Sequence, residues 1–148
     1  MIKGIIFDFV RTLYDPGEGR LFPGVLSFLE AYNKQGIKLG LVSFGSEEKQ
    51  RLLQSLGLMS FLHWVRVVPE KTPAVFNEFK EKFCLLPEDI FVVGDRLSEE
   101  ITVGQGLGMK TVWIQAEKTI PSEGTVKPDF IISSVTELTG LLEKLRQK

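Results

Sequence analysis

The 148-residue sequence holds one cysteine, Cys84, and one histidine, His63. A single cysteine excludes an internal disulfide and fits a reducing compartment. A single histidine has no second imidazole to share a metal with, so His63 reads as a packed or surface residue. Charge of one sign is also lacking: 18 basic residues face 19 acidic ones, the formal net charge is −1, and neither sign forms a long run. That balance argues against nucleic acid as the main partner and against a membrane surface. No apolar stretch approaches the ~20 residues that cross a bilayer. The N-terminal run IIF ends at Asp8, too short for a signal-peptide core. The expected address is the cytoplasm. What remains is the balance of a globular protein, 43% hydrophobic and 25% charged, read as one domain over residues 1–148.

Short apolar runs alternate with amphipathic ones. Strands are expected at 3–9 (KGIIFDF), 37–44 (IKLGLVSF), 65–68 (VRVV), 89–95 (DIFVVGD), 110–115 (KTVWIQ) and 129–133 (DFIIS). Between them, Pro23 opens a helix to about Asn33, closed near Gly36. Ser46 caps a helix whose inner face is Leu52, Leu53 and Leu56. Residues 72–83 carry Phe76, Phe79 and Phe83 on one stripe, and 99–107 form a helix stopped by Gly108. Leu138, Leu141, Leu142 and Leu145 mark the closing helix. Residues 15–20 read as a turn-rich loop and 116–128 as a surface loop. The alternation predicts βαβ units and a mostly parallel α/β sheet.

Ligands of such sheets bind at the carboxyl ends of the strands. Asp8 ends the first strand, Ser43 nearly ends the second, Lys71 follows the third, and Asp95 ends the fourth. Two carboxylates there suit a hard cation such as Mg²⁺, and the ammonium and hydroxyl suit phosphate oxygens. A phosphoryl-transfer site with Asp8 as carboxylate nucleophile is the expectation. GQGLG at 104–108 follows a helix rather than a strand, which excludes a dinucleotide loop. Cys84, beside an apolar helix end, is expected to be buried and inert.

The segments FDFVRTL, LVSFG, EKTP and VVGDRLSEEI resemble, in order and spacing, the four signature motifs of the haloacid dehalogenase superfamily of hydrolases. FPGVLSFLE, LGMKTVWI and KPDFIISSVTEL extend the resemblance over nearly the whole chain. It implies a Rossmann-like three-layer fold and an aspartyl-phosphate mechanism. Asp8 would match the nucleophile, Ser43 the phosphoryl-binding hydroxyl with Phe44 beside it, and Lys71 the charge-neutralising lysine. Asp8, the Val10 backbone carbonyl and Asp95 would match the Mg²⁺ ligands. Glu100 would support the metal, and Thr12 would brace the first loop. Only about ten residues separate Thr12 from Pro23 and fewer than thirty separate Ser43 from Lys71, so neither gap holds a cap domain. The site is then open. Capless relatives take a phosphorylated small molecule or a larger substrate, or cover the site with a neighbouring subunit of a homo-oligomer.

The first motif departs from the family's Asp-x-Asp-Gly-Thr. It reads Asp8-Phe9-Val10-Arg11-Thr12, without the second aspartate and without the glycine. The missing carboxylate is the family's proton-transfer group, whose loss costs roughly 10²–10⁴-fold per step. Two readings stand: a Mg²⁺-dependent phosphatase, or an impaired relative that keeps the metal and phosphate pocket for binding or assembly. Arg11 either meets substrate at the mouth or pairs with Asp15 or Glu18, with surface pairing the expectation.

Overall fold

The short apolar runs assemble into one sheet, because strands this hydrophobic must be covered on both faces. The computed structural model describes residues 2–115 and 126–146. Of the expected surface loop, residues 116–125 lie outside the described residues. In chain order the elements are β1 (Gly4–Phe7), β2 (Tyr14–Asp15), β3 (Arg20–Leu21), α1 (Val25–Lys34), β4 (Lys38–Phe44) and α2 (Glu47–Ser55). There follow β5 (Trp64–Val68), α3 (Pro73–Phe83), β6 (Ile90–Gly94), a wide turn (Leu97–Ile101) running into α4 (Thr102–Gly106), β7 (Lys110–Ile114), β8 (Phe130–Ile132) and α5 (Leu138–Arg146). Six strands form a sheet in the order β5-β4-β1-β6-β7-β8, and every neighbouring pair is parallel.

Residue parity along the strands sorts the helices into two layers. Ile5, Phe7, Leu39, Leu41, Phe91 and Val93 face α1, α2 and α5. Ile6, Val42, Val68 and Val92 face α3, through the phenylalanine stripe Phe76, Phe79 and Phe83. The result is a three-layer, Rossmann-like fold. The chain runs from β1 outward through β4 to β5, then returns to β6 on the other side of β1. That reversal opens a crevice beyond the carboxyl ends of β1 and β6. The β1–α1 link holds the short β2–β3 hairpin.

Several local expectations change. Residues 15–20, read as loop, are the tip of the β2–β3 hairpin, too short to show alternation. The first helix starts at Val25 rather than at Pro23, because Gly24 takes the left-handed conformation (φ 83°) at its N-cap. Ser46 stands at the N-cap of α2 but makes no capping hydrogen bond with its side chain. Of the three leucines on that helix only Leu53 is fully buried. Cys84 is exposed, not buried: Phe83 takes the last inward position of α3, and Cys84 turns out in a left-handed cap (φ 56°).

His63 is built into the sheet edge. Its Nδ1 accepts from the Leu39 N–H at 2.9 Å, and its own N–H donates to the Leu39 carbonyl at 2.7 Å. The ring thus stands in for a strand carbonyl where the β4–β5 ladder begins. Partial burial, and then the charge of Lys38, pull its pKa below the ordinary 6.5, against a smaller opposing effect of the Leu39 contact. With the folded pKa depressed, its contribution is present above the ordinary value and is lost as pH falls through the folded one. The difference in thermal midpoint between wild type and His63→Gln is therefore expected to shrink as pH drops from about 7 to about 5. A pH-independent difference in scanning fluorimetry would contradict that account.

Candidate active site

Each strand end delivers one group to the crevice. Asp8 is the first residue past β1, and its N–H donates to the Val93 carbonyl at 3.0 Å, which prolongs the β1–β6 ladder by one bond. Asp95 is the first residue past β6, and its carbonyl accepts from Trp113 Nε1 at 3.0 Å. Ser43 lies one residue before the end of β4, and Lys71 leads into α3, where Thr72 caps the helix by accepting from Val75 N–H. Glu100 comes from the wide turn Leu97–Ile101, an i→i+5 arrangement common at functional sites. The turn aims its carboxylate back over Gly94, where a side chain would collide with Glu100 Cγ.

Asp8, Ser43, Lys71, Asp95 and Glu100 are all buried. Lys71 Nζ donates to Asp8 Oδ1 at 2.5 Å and lies 3.6 Å from Glu100 Oε2. Asp8, Asp95 and Glu100 each offer a carboxylate oxygen within 4.8 Å of the others. Neither Glu100 oxygen has a hydrogen-bond partner. Three buried carboxylates therefore share one ammonium, an arrangement that water would not leave uncompensated.

The protonation equilibria record the imbalance. Burial, then the charge of Asp8 and a hydrogen bond to it, push Asp95 from 3.8 up to about 7. Burial and Asp8 likewise raise Glu100 well above the carboxylate range, with Lys71 opposing. Burial alone would lower Lys71; the attraction of Asp8 and Glu100 outweighs it, and its pKa rises. A hard divalent cation fits this set: three oxygen donors lie together, and the orphaned Glu100 oxygens would gain a partner.

The cleft above these groups has a volume of about 200 Å³. Asp8, Val10, Ser43, Phe44, Lys71 and Asp95 line it, so all the expected phosphate and metal residues except Glu100 face one space. Ser43 Oγ donates to the Phe44 carbonyl at 3.0 Å, and Lys71 Nζ sits 4.8 Å above the Phe44 ring. Thr12 is fully buried, bonded through its N–H to the Phe9 carbonyl, while its hydroxyl has no partner. Arg11 makes no ion pair among the described residues, contrary to the expected surface pairing. Asp15 is engaged by the Gly17 and Glu18 N–H groups, and Glu18 pairs with Arg20. Arg11 lines the cleft instead, with Lys49 and Arg96. Sequence reasoning missed Lys49, Arg96 and the Trp113 brace. Lys49 was reachable from the strand-end rule, since it lies one turn into the helix after β4.

Two tests follow from the acid cluster. Because the folded pKa of Asp95 is raised, its contribution to stability is full below 3.8 and lost as pH rises through about 7. Mg²⁺ competes with those protons, so the rise in melting midpoint on adding it should be larger at about pH 8 than at about pH 5. An absent or pH-independent shift would remove the metal assignment. Gly94→Ala should displace Glu100, destabilise the fold by about 1–3 kcal/mol, and shrink the Mg²⁺-induced shift.

Comparisons agree with this architecture. The family model described as HAD-hydrolase-like matches residues 69–138. A glyceraldehyde 3-phosphate phosphatase of Methanopyrus kandleri is 32% identical over 84% of this chain and 57% of its own length. The chain thus spans little more than half of the curated relatives it matches first. The solved HAD phosphatase of Thermococcus onnurineus superposes with a TM-score of 0.74 at 26% identity, over 86% of this chain and 60% of that one. A HAD-hydrolase of Bacillus subtilis, solved bound to magnesium, gives 0.72 at 25% identity, over 84% and 57%. By its sheet order and its strand-end motifs the chain has the fold and the motif pattern of the haloacid dehalogenase superfamily of hydrolases, and these relatives resemble it over most of its length.

Proposed function

We propose that this chain, acting as a single capless domain over residues 1–148, is a phosphatase for phosphomonoesters that works with Mg²⁺. The observation that carries the reading is the buried contact of Lys71 with Asp8 beside two further carboxylates, on the floor of an open cleft. The relative from Methanopyrus kandleri is a phosphatase by name, and the Bacillus structure holds magnesium, which supports both parts of the reading.

In this reading an Asp8 carboxylate oxygen attacks phosphorus. The ester P–O bond breaks, and the departing oxygen takes its proton from water. Water then attacks the aspartyl phosphate, releases inorganic phosphate and regenerates Asp8. Lys71 offsets negative charge between nucleophile and phosphoryl group. The Ser43 hydroxyl turns from the Phe44 carbonyl to donate to a phosphoryl oxygen. Asp8, Asp95 and the Val10 carbonyl would hold the cation, supported by Glu100. When bound, Mg²⁺ supplies positive charge for the phosphoryl oxygens.

One observation favours a slower protein that chiefly binds phosphate. Among the described residues, no carboxylate besides Asp8 and Asp95 lines the cleft, so nothing replaces the acid missing at Val10. Phosphate release from a panel of phosphomonoesters separates the readings. Asp8→Asn is expected to reduce turnover to background. Val10→Asp is expected to raise it by roughly 10²–10⁴-fold on substrates with poor leaving groups. Wild-type turnover that is absent, or that survives Asp8→Asn, would end the phosphatase reading.

A further inference from the structure

The floor of the cleft is acidic, but its rim is basic. Three cationic side chains line it: Arg11, Lys49 and Arg96. Arg96 Nη1 is engaged by Glu99 Oε1 at 3.4 Å. Arg11 and Lys49 have no carboxylate partner among the described residues. Lys49 is positioned nonetheless, with Nζ 5.6 Å from the centroid of the Phe9 ring.

Arg11 carries a second mark. It holds a left-handed backbone conformation, φ 64°, at the position where the resembling motif has glycine. An L-residue there costs roughly 1–2 kcal/mol that glycine would not. Strain kept at a site mouth points to a side chain that is used. A guanidinium and an ammonium lining one cleft match a carboxylate or phosphate group. Surface cations alone are worth little, but a cleft with low-dielectric walls concentrates their field.

We propose that Arg11 and Lys49 form a second anion subsite, which takes a carboxylate or a second phosphate on the non-reacting end of a small phosphorylated substrate. This rests on the phosphatase reading for the floor of the cleft. It differs from a role in holding the reacting phosphate, which Ser43 and Lys71 already meet deeper in the cleft.

Matched substrate pairs test it. 3-Phosphoglycerate against glycerol 3-phosphate isolates the carboxylate, and fructose 1,6-bisphosphate against fructose 6-phosphate isolates the second phosphate. The more highly charged member of at least one pair is expected to be preferred about tenfold or more in kcat/KM. Arg11→Ala with Lys49→Ala should collapse that ratio, and Arg11→Lys should keep part of it. Arg11→Gly should lower the ratio while raising the melting midpoint by about 2–8 °C, which separates lost recognition from misfolding. Calorimetry in Mg²⁺ with phosphonoacetate against methylphosphonate reads the same preference without turnover. A wild-type ratio near one in every arm overturns the subsite, as does an equal loss on both members of a pair. Turnover without preference would remove the subsite and leave the phosphatase reading. Preference for phosphonoacetate without turnover would remove the phosphatase reading and leave the subsite.

Discussion

The ion pair between Lys71 and Asp8 constrains everything around it. Taking two charges out of water costs several kcal/mol per ion, and only close, well-oriented partners offset that. The partners are 63 residues apart in sequence, one after the central strand β1 and the other after the edge strand β5. Lys71 must therefore reach across the end of β4, which explains why its ammonium lies over the Phe44 ring.

One ammonium does not balance the floor. The wide turn after β6 adds the Glu100 carboxylate to a site where Asp8 and Asp95 already compete for protons. A helix begun in the ordinary way would carry that side chain elsewhere. A side chain at Gly94 would block it. The fold thus gathers three buried acids around one lysine at its topological switch point, a configuration that favours a cation over solvent.

The first loop shows how a motif can lose residues and keep its shape. Arg11 retains the left-handed turn, its N–H donates to the Tyr14 carbonyl, and Val10 bridges to Tyr14. Beside the Asp-x-Asp-Gly-Thr pattern, the loop lacks one carboxylate and gains the cation of Arg11. The cleft carries acids and a lysine at its buried floor, with Arg11 and Lys49 also lining it.

Much of this was readable from composition and order. Apolar runs separated by helical periods specify a parallel sheet, because burial on both faces demands them. The phenylalanine stripe at 76, 79 and 83 marks its own buried face. Strand ends then name Asp8, Ser43, Lys71 and Asp95 before any coordinate is known, since the direction of a parallel sheet puts all its carboxyl ends on one edge. Local pattern could not reach features set by non-local packing. The β2–β3 hairpin is too short to alternate, the wide turn that aims Glu100 has no signature of its own, and Cys84 faces solvent because Phe83 fills the last core position. Chain order thus determined which groups arrive at the crevice. Tertiary structure alone decided their distances, their shared burden of charge, and the turning of Arg11 toward the cleft, because burial and electrostatic coupling exist only once distant segments meet.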